Sequence, residues 1–198
     1  MKYWRTLFEG EALRRHAAWL ASAAGGKRLI VEGEETKLAQ LVGSDLRLAG
    51  LFDATLSLCN FTLATLTGLE VERSTFDRCE LEFAKLDGAR LTDCTFRGCH
   101  AVGVHLERAK ILRGAFPDTS LARTGWEGAE AVEVDFRGTY FGRAQPGKAR
   151  FVRCDFRGAD FAEAELAGAV FEGCDLRQAK LAGAALAGAV LRDCQGVL

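Results

Sequence analysis

The 198-residue sequence has only two prolines and three histidines. It also lacks any run of roughly 18 apolar residues, the length that a membrane-spanning helix needs. The N-terminus has no apolar core of the kind that a signal peptide carries. Its 26 basic and 27 acidic residues nearly balance, which disfavours direct binding of nucleic acid. We therefore expect a cytoplasmic protein that contacts neither membrane nor nucleic acid.

The sequence does contain an unbroken five-residue period from Leu41 to Leu191. In this range 31 residue numbers leave remainder one on division by five, and 25 of these residues are Leu or Phe. The residue two places earlier is usually small, and all seven cysteines occupy that small position. A period of five fits neither a helix nor a flat strand. It predicts a backbone that turns a corner in every unit and points one large and one small residue inward.

These units resemble the A-(D/N)-L-x-x motif of the pentapeptide-repeat family. Ala49–Asp53, Cys154–Gly158 and Ala159–Glu163 show the resemblance clearly, and it covers roughly three quarters of the chain. The resemblance implies an all-β fold, a right-handed β-helix of square cross-section with four units in each coil. We accordingly predict a pentapeptide-repeat β-helix of about eight coils over residues 41–198.

Residues 1–40 lie outside the repeat and are predicted to cap its first coil. An amphipathic helix is expected over Phe8–Ala24, with Gly25–Gly26 as its stop signal, followed by a lead-in strand over Lys27–Val31. The first coil of a solenoid exposes unpaired backbone groups unless another segment covers them. Trp19, with Leu20 beside it, is the residue predicted to plug that end. A helix that binds a partner is the alternative.

Residues twenty apart should stack on one another if each coil holds four units. One such column contains five successive phenylalanines, and it is predicted to be a core stripe: Phe76, Phe96, Phe116, Phe136 and Phe156. The seven cysteines are predicted to be small, reduced core residues, because they share the inward position.

The pattern weakens at two places. We call the inward residue whose number leaves remainder one on division by five the centre of its unit. The centre within His100–His105 is Ala101, and the centre within Gly142–Lys148 is Pro146. Proline cannot donate to a ladder of backbone hydrogen bonds, and Pro-Gly is typical of turns. We predict an outward bulge at Pro146, which is either a tolerated irregularity of the repeat or a candidate contact site.

The residues that could carry chemistry are few. Cys94, Cys99, His100 and His105 are suitable types for zinc, but the cysteines point inward and the histidines outward, so four ligands would not converge. The sequence contains no phosphate-binding loop, nucleophile elbow or zinc-binding helix motif. We predict no metal, no cofactor and no catalysis. An enzyme or metal protein centred on His100 and His105 is the alternative.

Charged columns are the remaining surface pattern. The candidate interaction residues are a carboxylate column and a guanidinium column: Asp135, Asp155, Asp175, Arg137, Arg157 and Arg177. Columns of opposite sign on one face can pair across coils, where each exposed pair contributes a few tenths of a kcal/mol. A solvated, self-neutralised face is therefore the simplest interpretation.

The resemblance suggests a more specific function. Some pentapeptide-repeat proteins imitate duplex DNA, bind DNA gyrase or topoisomerase IV and protect against topoisomerase poisons. Such mimicry calls for a strongly acidic rod, because DNA carries about one charge per 1.7 Å. Residues 41–198 instead contain 19 basic and 22 acidic residues.

The near balance of charge favours a non-enzymatic scaffold with an unidentified protein partner, and the gyrase-binding mimic is the alternative. The last segment, Asp193–Leu198, contains no capping helix. We therefore also predict a homodimer joined end to end through the last coils, as the resemblance implies.

Overall fold

The computed structural model describes residues 10–196. One helix, α1 (Gly10–Leu20), precedes thirteen short strands in this range. The strands are β1 (Ile30–Glu32), β2 (Glu35–Lys37), β3 (Gly50–Phe52), β4 (Thr55–Ser57), β5 (Glu70–Glu72), β6 (Thr75–Asp77), β7 (Arg90–Thr92), β8 (Thr95–Arg97), β9 (Lys110–Leu112), β10 (Glu130–Val132), β11 (Arg150–Val152), β12 (Val170–Glu172) and β13 (Val190–Arg192). No helix among the described residues has the length and apolar character needed to cross a membrane.

The strands pair in parallel at a constant offset of twenty residues. Val31 lies opposite Leu51 at one end, and Phe171 lies opposite Leu191 at the other. The first face of the solenoid is a nine-stranded sheet that runs from β1 to β13, and the second face is a four-stranded sheet of β2, β4, β6 and β8. Nine strands on one face span eight steps. The chain is therefore a right-handed quadrilateral β-helix of about eight coils, which confirms the predicted fold.

Two further faces complete each coil. The third face is centred on the column that contains Phe61, and the fourth on the column that contains Leu86 and Trp126. Isolated parallel bridges join successive coils on these faces, such as Asn60 to Glu80 on the third and Lys85 to His105 on the fourth. The coil thus keeps the twenty-residue register even where no continuous strand forms.

The core follows from the five-residue unit. Centre residues such as Leu56 and Phe156 are fully buried, as are small residues such as Ala64. Two places after the centre, the backbone turns the corner with a positive φ, as at Phe83 (54°) and Gly103 (68°). This left-handed conformation costs glycine least, which explains why many glycines occur at that place in the unit.

The phenylalanine column forms a continuous stack. Ring centroids are separated by 4.5 Å between Phe76 and Phe96 and by 5.1 Å from Phe96 to Phe116. The spacing is 5.1 Å again from Phe116 to Phe136 and 5.0 Å from Phe136 to Phe156. All five rings are at most 4% exposed. Stacking at these distances adds stability beyond the burial of apolar area.

The helix ends earlier than the sequence pattern predicts. It stops at Leu20 rather than at Ala24, and the Phe8 end of the predicted range lies outside the described residues. Ser22 takes a left-handed φ of 54°. The Ser22 N–H donates to the Trp19 carbonyl (3.0 Å) and the Ala23 N–H donates to the Ala18 carbonyl (2.8 Å). These two bonds form a Schellman cap, so Ser22 rather than Gly25 ends the helix.

His16 is the residue of α1 that is fully buried against the first coil. Its Nδ1 accepts a hydrogen bond from the Leu29 backbone N–H at 3.0 Å. Trp19 and Leu20 are half-buried, and the Trp19 ring stacks on His16 with a centroid separation of 5.7 Å. His16 was not predicted to contact the first coil, because the largest apolar ring of the helix, that of Trp19, was expected to fill this place.

The β-helix begins before residue 41. The predicted strand over Lys27–Val31 lies a few residues later, as β1, and β1 and β2 already pair with β3 and β4. Val31 and Thr36 occupy buried centre positions of this first partial coil. The pattern missed these units because Thr36 is polar and Glu34 stands at a small position.

Both weak places in the repeat stay in register. Ala101 is buried, and His100 bridges to both adjacent coils. The predicted bulge at Pro146 is wrong, because Pro146 is buried and Gln145 bridges to Gly125 as usual. Proline removes a single donor from the ladder, while its carbonyl still accepts the Ala149 N–H at 2.8 Å. The loss of one backbone hydrogen bond is too small to displace this unit from the coil.

Candidate binding surfaces

The predicted Asp and Arg columns lie side by side on the second face. Asp135 bridges to Asp155, and Asp155 bridges to Asp175. Each arginine pairs with the aspartate two residues before it, at 2.6 Å for Arg137, 2.6 Å for Arg157 and 2.5 Å for Arg177.

Weaker contacts join one coil to the next in this ladder. The Arg137 Nε lies 3.7 Å from the Asp155 carboxylate, and the Arg157 Nε lies 3.6 Å from the Asp175 carboxylate. Hydrogen bonds from Arg177 lower the pKa of the Asp175 carboxyl to about 2. The six residues therefore form one neutral ladder in which every carboxylate already has a cation.

A second ladder, on the corner that follows the first face, was not recognised in the sequence. Acidic and basic residues alternate along it from one coil to the next: Asp53, Arg73, Asp93, Arg113, Glu133 and Arg153. The ion pairs within it are each 2.7 Å long. The twenty-residue separation of unlike charges is the signal that would have revealed this ladder.

An uncharged surface lies at the N-terminal end of the third face. It consists of Leu38–Gly43 and Leu58–Leu63, in which no residue is charged. Leu38 is 59% exposed, Val42 53% and Leu63 57%. Charged residues appear again in the next coil, at Arg78, Glu80 and Glu82. In a chain that is 27% charged, two adjacent coils without charge on one face form a distinct surface.

The fourth face carries an acidic depression. The depression has a volume of about 200 Å³, and the carboxylates of Glu107, Glu127 and Glu165 lie around it. Gly125 and Gly147 contribute no side chains to its floor. Lys148 pairs with Glu127 at 2.9 Å.

Asp87, His105 and Glu107 converge at the edge of this depression. One ligand atom from each residue lies within 4.8 Å of the other two, the only such group of three or more in the described part of the chain. The His105 Nδ1 lies 3.6 Å from the Glu107 Oε1. Burial and the neighbouring Asp87 carboxyl raise the pKa of Glu107.

His105 lies beside Asp87 and Glu107 and not beside the cysteines with which the sequence pattern associated it. Cys94 and Cys99 are buried inside the core, and His100 lies on the third face between Glu80 and Ser120. Asp87 and Glu107 were missed although they are twenty residues apart and therefore stack. Burial raises the pKa of the Cys94 thiol to about 11, in accordance with an inert core residue.

The chain matches a protein-family model and solved structures of known proteins. The model of the family described as pentapeptide repeats matches in eight copies, over residues 56–93, 74–111, 132–164 and 154–193. No curated protein matches the chain.

Solved structures with a similar fold include a trypsin-treated form of QnrB1, a plasmid-mediated fluoroquinolone resistance protein. It is 20% identical with a TM-score of 0.51, and the match covers 83% of this chain and 90% of that one. HetL, a pentapeptide repeat protein involved in heterocyst differentiation regulation from the cyanobacterium Nostoc sp. strain PCC 7120, is 23% identical with a TM-score of 0.35, over 91% and 93% of the two chains. With the family model matching more than half of its length, the chain belongs to the pentapeptide-repeat family.

Proposed function

We propose that the protein is a non-enzymatic scaffold that binds a protein partner on the uncharged surface. The observation that carries this proposal is the exposure of Leu38, Leu58 and Leu63, each with a positive φ. Left-handed backbone costs a residue with a Cβ atom roughly 1–2 kcal/mol, and elsewhere the chain often places glycine at these corners. Large apolar side chains at strained, solvent-exposed corners gain little from the fold itself.

The chemistry of the surface indicates the kind of partner. Between the leucines lie Gln40, Asn60 and Thr62, which offer hydrogen bonds without charge. Nucleic acid would require clustered lysine or arginine at such a surface. A protein segment that presents apolar side chains beside uncharged polar groups fits better, because the cores of protein interfaces are depleted of charged residues.

The proposal is tested with two substitutions in the same corner column. Leu58 and Gln178 are both exposed, and both have a positive φ, of 54° and 62°. A partner would be identified by quantitative pull-down from lysate and then titrated, in purified form, against each variant. We expect Leu58→Glu to weaken binding by at least about tenfold. Gln178→Glu should bind like the unaltered protein.

Two results would contradict the proposal. One is a purified partner that binds Leu58→Glu as tightly as the unaltered chain. The other is an equal loss of binding in Leu58→Glu and Gln178→Glu, which would mean that added charge anywhere on the rod disrupts the complex. Circular dichroism of both variants would verify that the solenoid is intact.

Protection of DNA gyrase or topoisomerase IV is the second candidate function. It is favoured by the fold shared with a fluoroquinolone resistance protein. The ladders oppose it, because Asp135, Asp155 and Asp175 are each neutralised by an arginine, whereas a DNA mimic needs unpaired negative charge. We expect gyrase supercoiling in the presence of a fluoroquinolone to be unchanged by added protein. Protection that depends on dose would favour this second function.

A further inference from the structure

Asp87, His105 and Glu107 are brought together by the geometry of the coil. Asp87 and Glu107 stand in one column of the fourth face, so the repeat places them on adjacent coils about 4.8 Å apart. His105 lies in the same unit as Glu107 and bridges to Lys85 and Gly125. All three residues keep a route to solvent, since His105 is half exposed and Asp87 and Glu107 are partly buried.

The two carboxylates lack the cations that neutralise most other columns. In the described residues, no lysine or arginine forms an ion pair with Asp87 or Glu107, although Glu127 in the next coil pairs with Lys148. The Glu107 Oε2 is buried and has no hydrogen-bond partner. The charge of the two stacked carboxylates is therefore incompletely neutralised, and one buried oxygen accepts no hydrogen bond. A bound cation would neutralise the charge and contact that oxygen.

Gly125 supplies the space that the Glu107 carboxylate occupies. A Cβ atom at position 125 would overlap the Glu107 Oε1. The residues at the same place in the adjacent coils, His105 and Gln145, both have long side chains. Since the φ of Gly125 does not lie in the left-handed region, its backbone does not require glycine. Glycine at position 125 therefore leaves room for the Glu107 carboxylate, and no turn requires it there.

We propose that Asp87, His105 and Glu107 bind a divalent first-row transition metal ion such as Mn²⁺ or Zn²⁺. One imidazole nitrogen and two carboxylate oxygens suit such an ion better than Mg²⁺ or Ca²⁺, which prefer oxygen alone. At metal–ligand bonds of about 2.1 Å, ligand atoms lie roughly 3–4 Å apart. The observed separations of up to 4.8 Å require only small side-chain movements to reach that range. Solvent on the side of the depression supplies the remaining ligands.

Mn²⁺ is the probe that best separates this site from the rest of the chain. It favours carboxylate and water ligands over thiolates, so the seven cysteines compete little for it. Its unpaired electrons broaden the NMR signals of nearby nuclei. After treatment with EDTA and dialysis, the full chain is titrated with MnCl₂ while the ring signals of His16, His100 and His105 are followed.

His100 offers a matched comparison within the same spectrum. It is exposed like His105, but its neighbours in the column are Glu80 and the uncharged Ser120. We expect broadening of the His105 signals at metal concentrations that leave His100 sharp. Calorimetry with MnCl₂ should give one site per chain that His105→Asn and Asp87→Asn each weaken by about tenfold or more. His100→Asn should leave the affinity unchanged.

Gly125→Ala tests the arrangement without removing a ligand. The added methyl group displaces the Glu107 carboxylate, so we expect metal affinity to fall by about tenfold while circular dichroism stays unchanged. Equal broadening of His100 and His105 would overturn the proposal. Unaltered affinity in His105→Asn, or no binding at millimolar metal, would also overturn it and would leave a proton shared between the two carboxyl groups as the explanation of the cluster.

Discussion

Trp126 shows how a single polar atom is accommodated in the core. It is the only tryptophan at a centre position, and its side chain is fully buried. Its Nε1–H donates to the Thr124 Oγ1 at 2.8 Å, and the Thr124 hydroxyl donates to the Leu121 carbonyl at 2.6 Å. Thr124 stands at the small position, where alanine or cysteine is usual. The indole ring of Trp126 and the hydroxyl of Thr124, two residues earlier, therefore form a buried hydrogen-bonded pair.

We predict that Thr124→Val destabilises the protein by about 1–3 kcal/mol, because it leaves the Trp126 Nε1–H buried without an acceptor. Urea denaturation would measure the free energy of unfolding. In a Trp126→Phe background the indole donor is absent, so the same substitution should cost less by about 0.5 kcal/mol or more. Equal costs in the two backgrounds would contradict the assigned role of Thr124.

The capping helix depends on a neutral histidine. His16 accepts the Leu29 N–H through Nδ1, and this requires an unprotonated Nδ1. Burial lowers the pKa of His16 from its usual 6.5, and the nearby Arg28 and Arg47 lower it further, whereas Asp45 and the Arg47 backbone oppose this shift. Protonation would both charge a buried ring and remove the acceptor for Leu29.

We predict that α1 detaches from the first coil on mild acidification. The folded-state pKa of His16 lies below that of the unfolded chain, so the unfolded state binds more protons. The contribution of His16 is complete above about pH 6.5 and is lost as the pH falls towards the folded-state pKa. Hydrogen exchange of the α1 amides should accelerate between pH 7.5 and pH 5 relative to core amides, after correction for the intrinsic exchange rate.

His16→Gln is the control for this prediction. It keeps an acceptor for the Leu29 N–H but does not titrate, so the exchange protection of α1 should no longer depend on pH. Protection that stays constant in the unaltered protein between pH 7.5 and pH 5 would contradict the role of His16. Core amides around Phe136 serve as an internal reference, since that ring is fully buried.

At the level of the coil, the sequence was sufficient to predict the columns but not every unit. A strict period places Phe76 beneath Phe96, because the backbone repeats identically and side chains must follow it. The first coil was missed at Thr36, where a polar residue occupies a buried centre. Pro146 was misjudged because the local preference of proline is weaker than the combined pairing of the adjacent coils.

The candidate metal cluster was missed for a different reason. His105 was identified, but its partners were sought among residues close in sequence rather than in the same column. Asp87 and Glu107 become neighbours only when the number of units per coil is known to be four. Which rotamer brings Glu107 over Gly125 depends on packing in three dimensions, and no period in the sequence encodes it.

Considered as a whole, the described part of the solenoid differs between its first and its last coil. At the N-terminal end, His16 of α1 is fully buried against the first coil. In the last described coil, Leu186 is 43% exposed and Leu191 is 37% exposed, although the matching centre residues of inner coils, Leu166 and Phe171, are almost completely buried. Residues 197 and 198, part of the segment Asp193–Leu198, lie outside the described residues. An apolar coil end is a template for association with a like surface.

We predict that two chains associate end to end through this last coil. An isologous contact would cover Leu186 and Leu191 of both copies. The neutral ladders along the rod would attract a second chain only weakly, so side-by-side association is disfavoured. Light scattering at micromolar concentration should give twice the chain mass of 21.5 kDa. Leu186→Lys should give the mass of a single chain, while Leu63→Lys, on the uncharged surface, should not change the dimer. A single-chain mass for the unaltered protein would contradict the prediction, because the leucines of the last coil would then remain exposed to water without association.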